Sequence, residues 1–286
     1  KLDQSIQAGN SLINDAKAAP RPFDWDAAFP DIMAQGGFDI VIGNPPYVRA
    51  ENIGDQKSWL ASKYKVGSDQ SDLSAYFYEK GFEILNTRGR LGYISTSSFF
   101  RAGYGHNLRS LLAATATIEV VIDFGDVQIF EDVTTYPAIL TAKKQTDSGI
   151  SNSDLTYLNI RTEAPEDLGR TFRTDSRTMP QTRLSVGSWQ FEDGGLAEIR
   201  SKIINKRPML KDVYGAPKSG VKTGRTEVFC LPSAEARAIF KSEPNSQGFF
   251  HDYLRGDDIE RWCPEPSAMT MLVIPNGWEI YCQASV

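Results

Sequence analysis

The sequence predicts an α/β fold: a mostly parallel sheet flanked by helices, with an antiparallel last strand, followed by a smaller part of mixed α+β character. Three observations predict it. Between residues 37 and 115, short β-branched runs alternate with helical runs, and such alternation demands crossover connections. The strand-like runs 118–125 and 136–144 follow one another without a helix, so the later one returns antiparallel. Beyond about residue 190 the alternation gives way to one helix and then to glycine- and proline-punctuated segments.

Taken in order, "GFDIVIG" (37–43) reads as a short buried strand, apolar, β-branched and bounded by glycines. Residues 48–70 are polar, with a short helix expected around Trp59. "SDLSAYFYEKGFEILN" (71–86) places Leu73, Phe77, Phe82 and Leu85 at helical spacing, with Ser71 or Asp72 as N-cap. "GRLGYIST" (89–96) is a strand entered through Gly89, and "GHNLRSLLAAT" (105–115) a helix. "IEVVIDFG" (118–125) and "YPAILTAKK" (136–144) complete the sheet pattern. A polar loop then leads to the short strand "LTYLNI", and "GGLAEIRSKIINK" is a helix that opens the second part. The expected division is 1–185 and 186–286.

Composition narrows the function classes. With 41% hydrophobic and 23% charged residues, the 286-residue chain has the make-up of a globular protein. No apolar run reaches the roughly 18 to 20 residues of a membrane helix, and no membrane partner is expected. Three widely spaced cysteines (Cys230, Cys263, Cys282) and only two histidines argue for reduced intracellular thiols and against a metal centre. The net charge of −5 conceals a basic stretch: from Arg200 to Arg225 there are eight basic residues and one acid. That stretch reads as a solvated face or as a footprint for phosphates.

The chemistry concentrates in "GNPPY" (43–47), directly after the first strand. In an open α/β sheet ligands bind outside the carboxyl ends of the strands. Pro45 has a fixed φ and Pro46 holds it extended, so the Pro45 carbonyl has a predetermined direction beside the Asn44 amide oxygen. Two such acceptors suit an amino group whose lone pair is delocalised, since accepting both N–H bonds draws the nitrogen towards a tetrahedral shape. Tyr47 adds an aromatic face for an extruded base, a contact of about 1–3 kcal/mol. As bare residues the stretch also reads as a turn.

"FDIVIGNPPYVR" resembles the catalytic motif of amino-group methyltransferases. With "AGNSLI", "SDLSAYFYEKGFEIL", "GRLGYISTSSFFRAGYGHNLRSLL" and "IEVVIDFGDVQIFEDVTTYPAILTAKK" in order, the chain resembles the γ-type N6-adenine DNA methyltransferases. The likeness is greatest to those of type IIG restriction–modification enzymes and phage-defence methylases. "GVKTGRTEVFCL" and "YLRGDDIERW" resemble the opening of that family's target recognition domain.

The resemblance implies a Rossmann-like methyltransferase sheet with S-adenosylmethionine as methyl donor, double-stranded DNA as partner and a bacterial cytoplasmic setting. Asn44 and Pro45, with Pro46, would hold the target amine. Tyr47 and Phe130 would stack on the two faces of the flipped adenine. Asn10, Asn44 and Asp72 would border the cofactor, and Lys218, Lys222, Thr223, Arg225 and Arg255 would meet DNA. Rival readings stand beside these: a core aromatic for Phe130, a turn or cap for Asn10, a helix N-cap for Asp72, and an ion-paired turn around Arg255. The family's glycine-containing cofactor motif and ribose-binding acid are not found, which makes the chain a fragment in this reading. It would act as a monomer or as part of a longer chain, and no nuclease signature is visible. Methylation of N4-cytosine, RNA or protein glutamine, and inactive DNA binding, remain open on the residues alone.

Overall fold

The computed structural model describes residues 5–130, 136–145, 153–184, 186–205, 207–216, 225–255, 258–260, 263–264 and 268–274. The chain forms two compact units, Lys1–Lys206 and Arg207–Val286.

The first unit holds a six-stranded sheet: β1 (Phe38–Gly43), β2 (Leu85–Thr96), β3 (Ala116–Asp123), β4 (Pro137–Lys144), β5 (Asp154–Asn159) and β6 (Arg177–Pro180), in spatial order β1-β2-β4-β3-β5-β6. β1 pairs parallel with β2, and β3 parallel with β5. β4 lies antiparallel between β2 and β3, and β6 antiparallel on β5. Four strands therefore run one way and two against them. β4 takes its expected direction: among the described residues no helix separates it from β3 to make a crossover.

Short helices α1 (Trp25–Ala28) and α2 (Pro30–Ala34) precede β1. α3 (Lys57–Lys63) is the expected helix around Trp59, α4 (Leu73–Ile84) feeds β2, and α5 (His106–Thr115) feeds β3. α4 and α5 pack on each other and on the sheet. The main core fills that face with Tyr76, Tyr78, Phe82, Leu91, Leu108, Leu112, Val121 and Leu140, among others. Alternate residues of β3 and β4 point the other way. Ile122 and the partly buried Val120 and Ile139 join Phe124, Val127, Leu158 and Ile160 in a second, smaller cluster. That cluster is covered by Leu168 and Phe172 of α6 (Leu168–Asp175).

Two readings are corrected, and one stretch without an expectation proves structured. β1 is not buried: Ile40 is 65% and Ile42 79% exposed. It lies at the edge of the described sheet, paired on one side only, and periodicity does not distinguish an edge from a centre. β2 starts at Leu85 rather than Gly89; Gly89 sits at the irregularity where the register passes from Phe38↔Leu85 to Ile40↔Arg90. Its missing side chain leaves room for the Phe38 carbonyl, which a Cβ would meet at 2.8 Å. α6 and β6 occupy a stretch with no sequence expectation of structure. The Asp167 carboxylate caps α6 by accepting the Arg170 N–H at 2.9 Å.

α7 (Gly194–Ile204) closes the first unit. The second unit is mixed α+β. It contains α8 (Leu210–Tyr214), α9 (Thr226–Phe229) and α10 (Ser233–Ser242). β7 (Cys230–Pro232) and β8 (Phe250–Tyr253) flank β11 (Met269–Leu272) in an antiparallel sheet, and β9 (Ile259–Glu260) pairs with β10 (Cys263–Pro264). Among the described residues no helix is long and apolar enough to cross a membrane.

Candidate active site

β1 ends at Gly43, in register with Tyr93 of β2, and the Asn44-Pro45-Pro46-Tyr47 corner leaves the carboxyl edge of the sheet there. The far side of the corner is tied down by the Val48 carbonyl, which accepts the Leu73 N–H at 2.9 Å at the start of α4. The strand and the helix thus both fix the Pro-Pro backbone. Beneath it the Tyr93 hydroxyl donates to the Phe77 carbonyl at 3.3 Å, and the Tyr78 and Ser95 hydroxyls lie 2.9 Å apart.

Two cavities open on the corner. The smaller, about 240 Å³, is lined by Asn44, Pro45 and Pro46 with Ser11, Trp25, Phe77 and Tyr93. The larger, about 720 Å³, is lined by Tyr47, Arg49, Asp72, Thr96, Ser98, Tyr104 and Tyr136, among others. The corner therefore stands between an aromatic niche and a larger cavity that mixes aromatic, hydroxyl and charged side chains. The Tyr47 hydroxyl is buried without a hydrogen-bond partner among the described residues, and burial pushes its pKa up to about 12. Its ring stays neutral through the physiological range.

The structure brings Tyr47 and Phe130 together from distant parts of the chain, with ring centroids 5.9 Å apart at 68°. Asp72 stands at the N-cap position of α4 but makes no capping bond. Its carboxylate accepts the Tyr104 hydroxyl at 2.8 Å and faces the cavity of Tyr47, not the niche of Asn44. Asn10 is engaged locally: Oδ1 accepts the Leu12 N–H at 3.1 Å, and Nδ2 donates to Gln56 Oε1 at 3.3 Å. Its neighbour Ser11 lines the niche instead.

Of the basic candidates, Lys218, Lys222 and Thr223 lie outside the described residues. Arg225 stands at the N-cap of α9 with no side-chain capping bond. Arg255 folds onto Asp258, its N–H 2.8 Å and its Nη2 3.4 Å from the carboxylate. At the head of the basic stretch Arg200 pairs with Glu192 at 2.8 Å and Lys202 with Glu198 at 2.8 Å, so those two charges are matched on the surface. Among the described residues no group of three or more His, Cys, Asp or Glu is placed to hold a metal ion.

Residues the sequence reading passed over include Ser98 and Tyr104, which wall the larger cavity, and the buried Arg109, which supports them. Arg109 donates to the carbonyls of Phe99, Ala102 and Val186 at 2.5, 2.9 and 3.0 Å. The available signal was "SSFFRAGYGH" following a strand, since strand-end loops at this edge are where ligands bind.

Residues 1–130 match the family described as Eco57I restriction-modification methylase. The chain is 28% identical over 265 residues to the type II restriction enzyme and methyltransferase RM.Eco57I of Escherichia coli, covering 91% of this chain and 25% of that protein. It is 28% identical over 211 residues to the type II methyltransferase M.BstVI of Geobacillus stearothermophilus, covering 68% and 37% respectively. The chain thus spans between a quarter and two fifths of these relatives. Its fold is shared with the type IIL restriction-modification enzyme MmeI, solved in complex with DNA, at a TM-score of 0.55 and 16% identity over 92% of this chain and 32% of that one. The residues that match that family's model, 1–130, carry the Asn-Pro-Pro-Tyr corner and the strands β1 to β3, so this part of the chain is similar to the Eco57I restriction-modification methylases.

Proposed function

We infer that the protein methylates the N6 amine of an adenine flipped out of DNA, within a restriction–modification or phage-defence system, using S-adenosylmethionine. The observation that carries this reading is the corner itself. Asn44 and Pro45 sit rigidly at a strand end, with the Tyr47 and Phe130 rings paired beside them. The relatives named as type II methyltransferases support it.

In this reading the Asn44 side-chain oxygen and the Pro45 carbonyl each accept one N–H of the target amine and free its lone pair for attack. Tyr47 and Phe130 take the two faces of the base. Their present edge-on contact is closer than the roughly 7 Å needed for two successive base stackings of about 3.4 Å. Phe130, half-buried against Tyr47, swings aside as the base enters. The donor group, when bound, supplies an electrophilic methyl. The chemistry of the niche fits its adenine end, with the Trp25 and Phe77 rings as apolar walls and Ser11 as a polar contact. Catalysis comes from positioning and electrostatics rather than from a covalent enzyme intermediate. The first unit, through Lys206, forms the catalytic part rather than residues 1–185 alone, and the unit from Arg207 opens the part that reads the DNA, with Arg225, Arg255, Lys218, Lys222 and Thr223 on phosphates.

The test is nucleoside mass spectrometry of DNA from cells expressing the gene that encodes this sequence, beside an Asn44→Ala copy. N6-methyladenine is expected with the wild type and background levels with the variant; sequencing the methylated DNA then maps the target site. A new methyl mark that persists in Asn44→Ala, or appears on cytosine N4 instead, overturns the reading. So does the lack of any new mark in either DNA.

A further inference from the structure

Asp123 ends β3 with 2% of its surface exposed. A charge so far from water must be matched. It is matched by three loops at the carboxyl edge of the sheet. Oδ1 accepts the Gly125 N–H at 3.0 Å, in the loop that leads to Phe130. Oδ2 meets the Arg101 guanidinium at 3.5 Å, in the loop after β2, and the Arg161 guanidinium at 3.3 Å, just after β5. The Asp123 carbonyl accepts the Ile160 N–H at 2.9 Å, and Arg161 donates to Asn159 Oδ1 at 3.0 Å. Gly125 adopts φ +58°, and a Cβ there would stand 2.6 Å from Arg161 Nη1. The turn after β3 therefore leaves room for that guanidinium to lie against it.

Two of the tied loops border the Tyr47 cavity, those after β2 and β3. The loop after β2 carries Ser98 and Tyr104. The loop after β3 is anchored by Phe124, Val127 and Ile129 in the smaller apolar cluster and delivers Phe130 to the Tyr47 ring. We propose that Asp123 is the positioning residue of the base-stacking wall: through Arg101, Arg161 and the Gly125 turn it holds Phe130 facing Tyr47. The inference rests on the adenine-methylation reading above. Asp123 touches neither base nor methyl donor and acts through Phe130. The two arginines are half exposed and the carboxylate is not, so its loss frees two cations to turn to solvent and releases the common tie.

The test is a double-mutant cycle in the protein as its gene encodes it, on duplex DNA carrying the mapped target site. Asp123→Asn and Phe130→Ala are each expected to lower kcat by about tenfold, with the affinity for S-adenosylmethionine unchanged. The double variant should be no slower than Phe130→Ala alone, because the two changes remove one function. If Asp123→Asn fails to fold, the paired surface change Arg101→Gln with Arg161→Gln replaces it in the same cycle, with the same expectation. Effects that multiply, an unchanged kcat, or a parallel loss of cofactor affinity overturn the positioning role while leaving the methylation reading intact. A wild type that methylates no adenine overturns both.

Discussion

Burial raises the Asp72 carboxyl above its ordinary value of 3.8, against the opposing pull of the Tyr104 hydroxyl and the Ala50 amide. The folded state therefore holds the proton more tightly than the unfolded chain does. Where that is so, stability falls as pH rises through the interval between the ordinary and the raised value, and the loss persists above it. Asp72→Asn removes the titration. The variant is expected to show a flatter dependence of Tm on pH across the acid range, and at neutral pH a Tm no lower than wild type. Calorimetry of both proteins from pH 4 to 7 checks this, and an unchanged slope would refute it. The placement of Asp72 at a helix start was readable from "SDLSAYF", because capping preference is local. Its side-chain partner was not, because the Tyr104 hydroxyl arrives from another loop.

At the scale of elements, β1 shows how a strand meets its constraints. Two successive glycines with positive φ, Gly36 at 98° and Gly37 at 112°, turn the chain out of α2 and into the strand. A Cβ on Gly37 would lie 2.3 Å from the Ile84 carbonyl oxygen, a backbone atom with no freedom to yield. Gly37→Ala is expected to cost about 1–3 kcal/mol or more from strained φ and steric overlap together. A fall in the urea midpoint with unchanged slope reports it, and an unaffected midpoint sinks the argument. β2, β3 and β4 were legible through their apolar runs and flanking turns. α6 was not, because only Leu168 and Phe172 mark its inner face and they pack on a small cluster supplied by distant strands. The exposure of Ile40 and Ile42 was equally hidden, since which strand becomes an edge depends on every other strand.

For the whole molecule, the extent of the core decides where the first unit can be cut. Trp189 has no exposed surface and packs against Phe99, Phe100 and Phe191. Its backbone N–H donates to the Phe100 carbonyl at 2.7 Å. Arg109 and Asn159 bond to the carbonyls of Val186 and Phe191. A fragment 1–206 is expected to melt cooperatively with buried tryptophan fluorescence. A fragment 1–185 should lose at least the roughly 3–5 kcal/mol of a deleted core aromatic. Equal stability of the two fragments would show that residues 186–205 are not part of that core.

The sequence by itself determined the α/β class, the antiparallel return of β4, and the Asn-Pro-Pro-Tyr corner at the end of β1. These follow from short-range rules: periodicity, the length of a connection, and the fixed φ of proline. Tertiary structure decided the edge position of β1, the meeting of Tyr47 with Phe130, the turning of Asp72 towards the Tyr47 cavity, and the gathering of three loops on Asp123. Each of those depends on groups far apart in the chain sharing one strand edge. Such a juxtaposition is set by sheet order and by the need to match a buried charge, and no local pattern of residues records either.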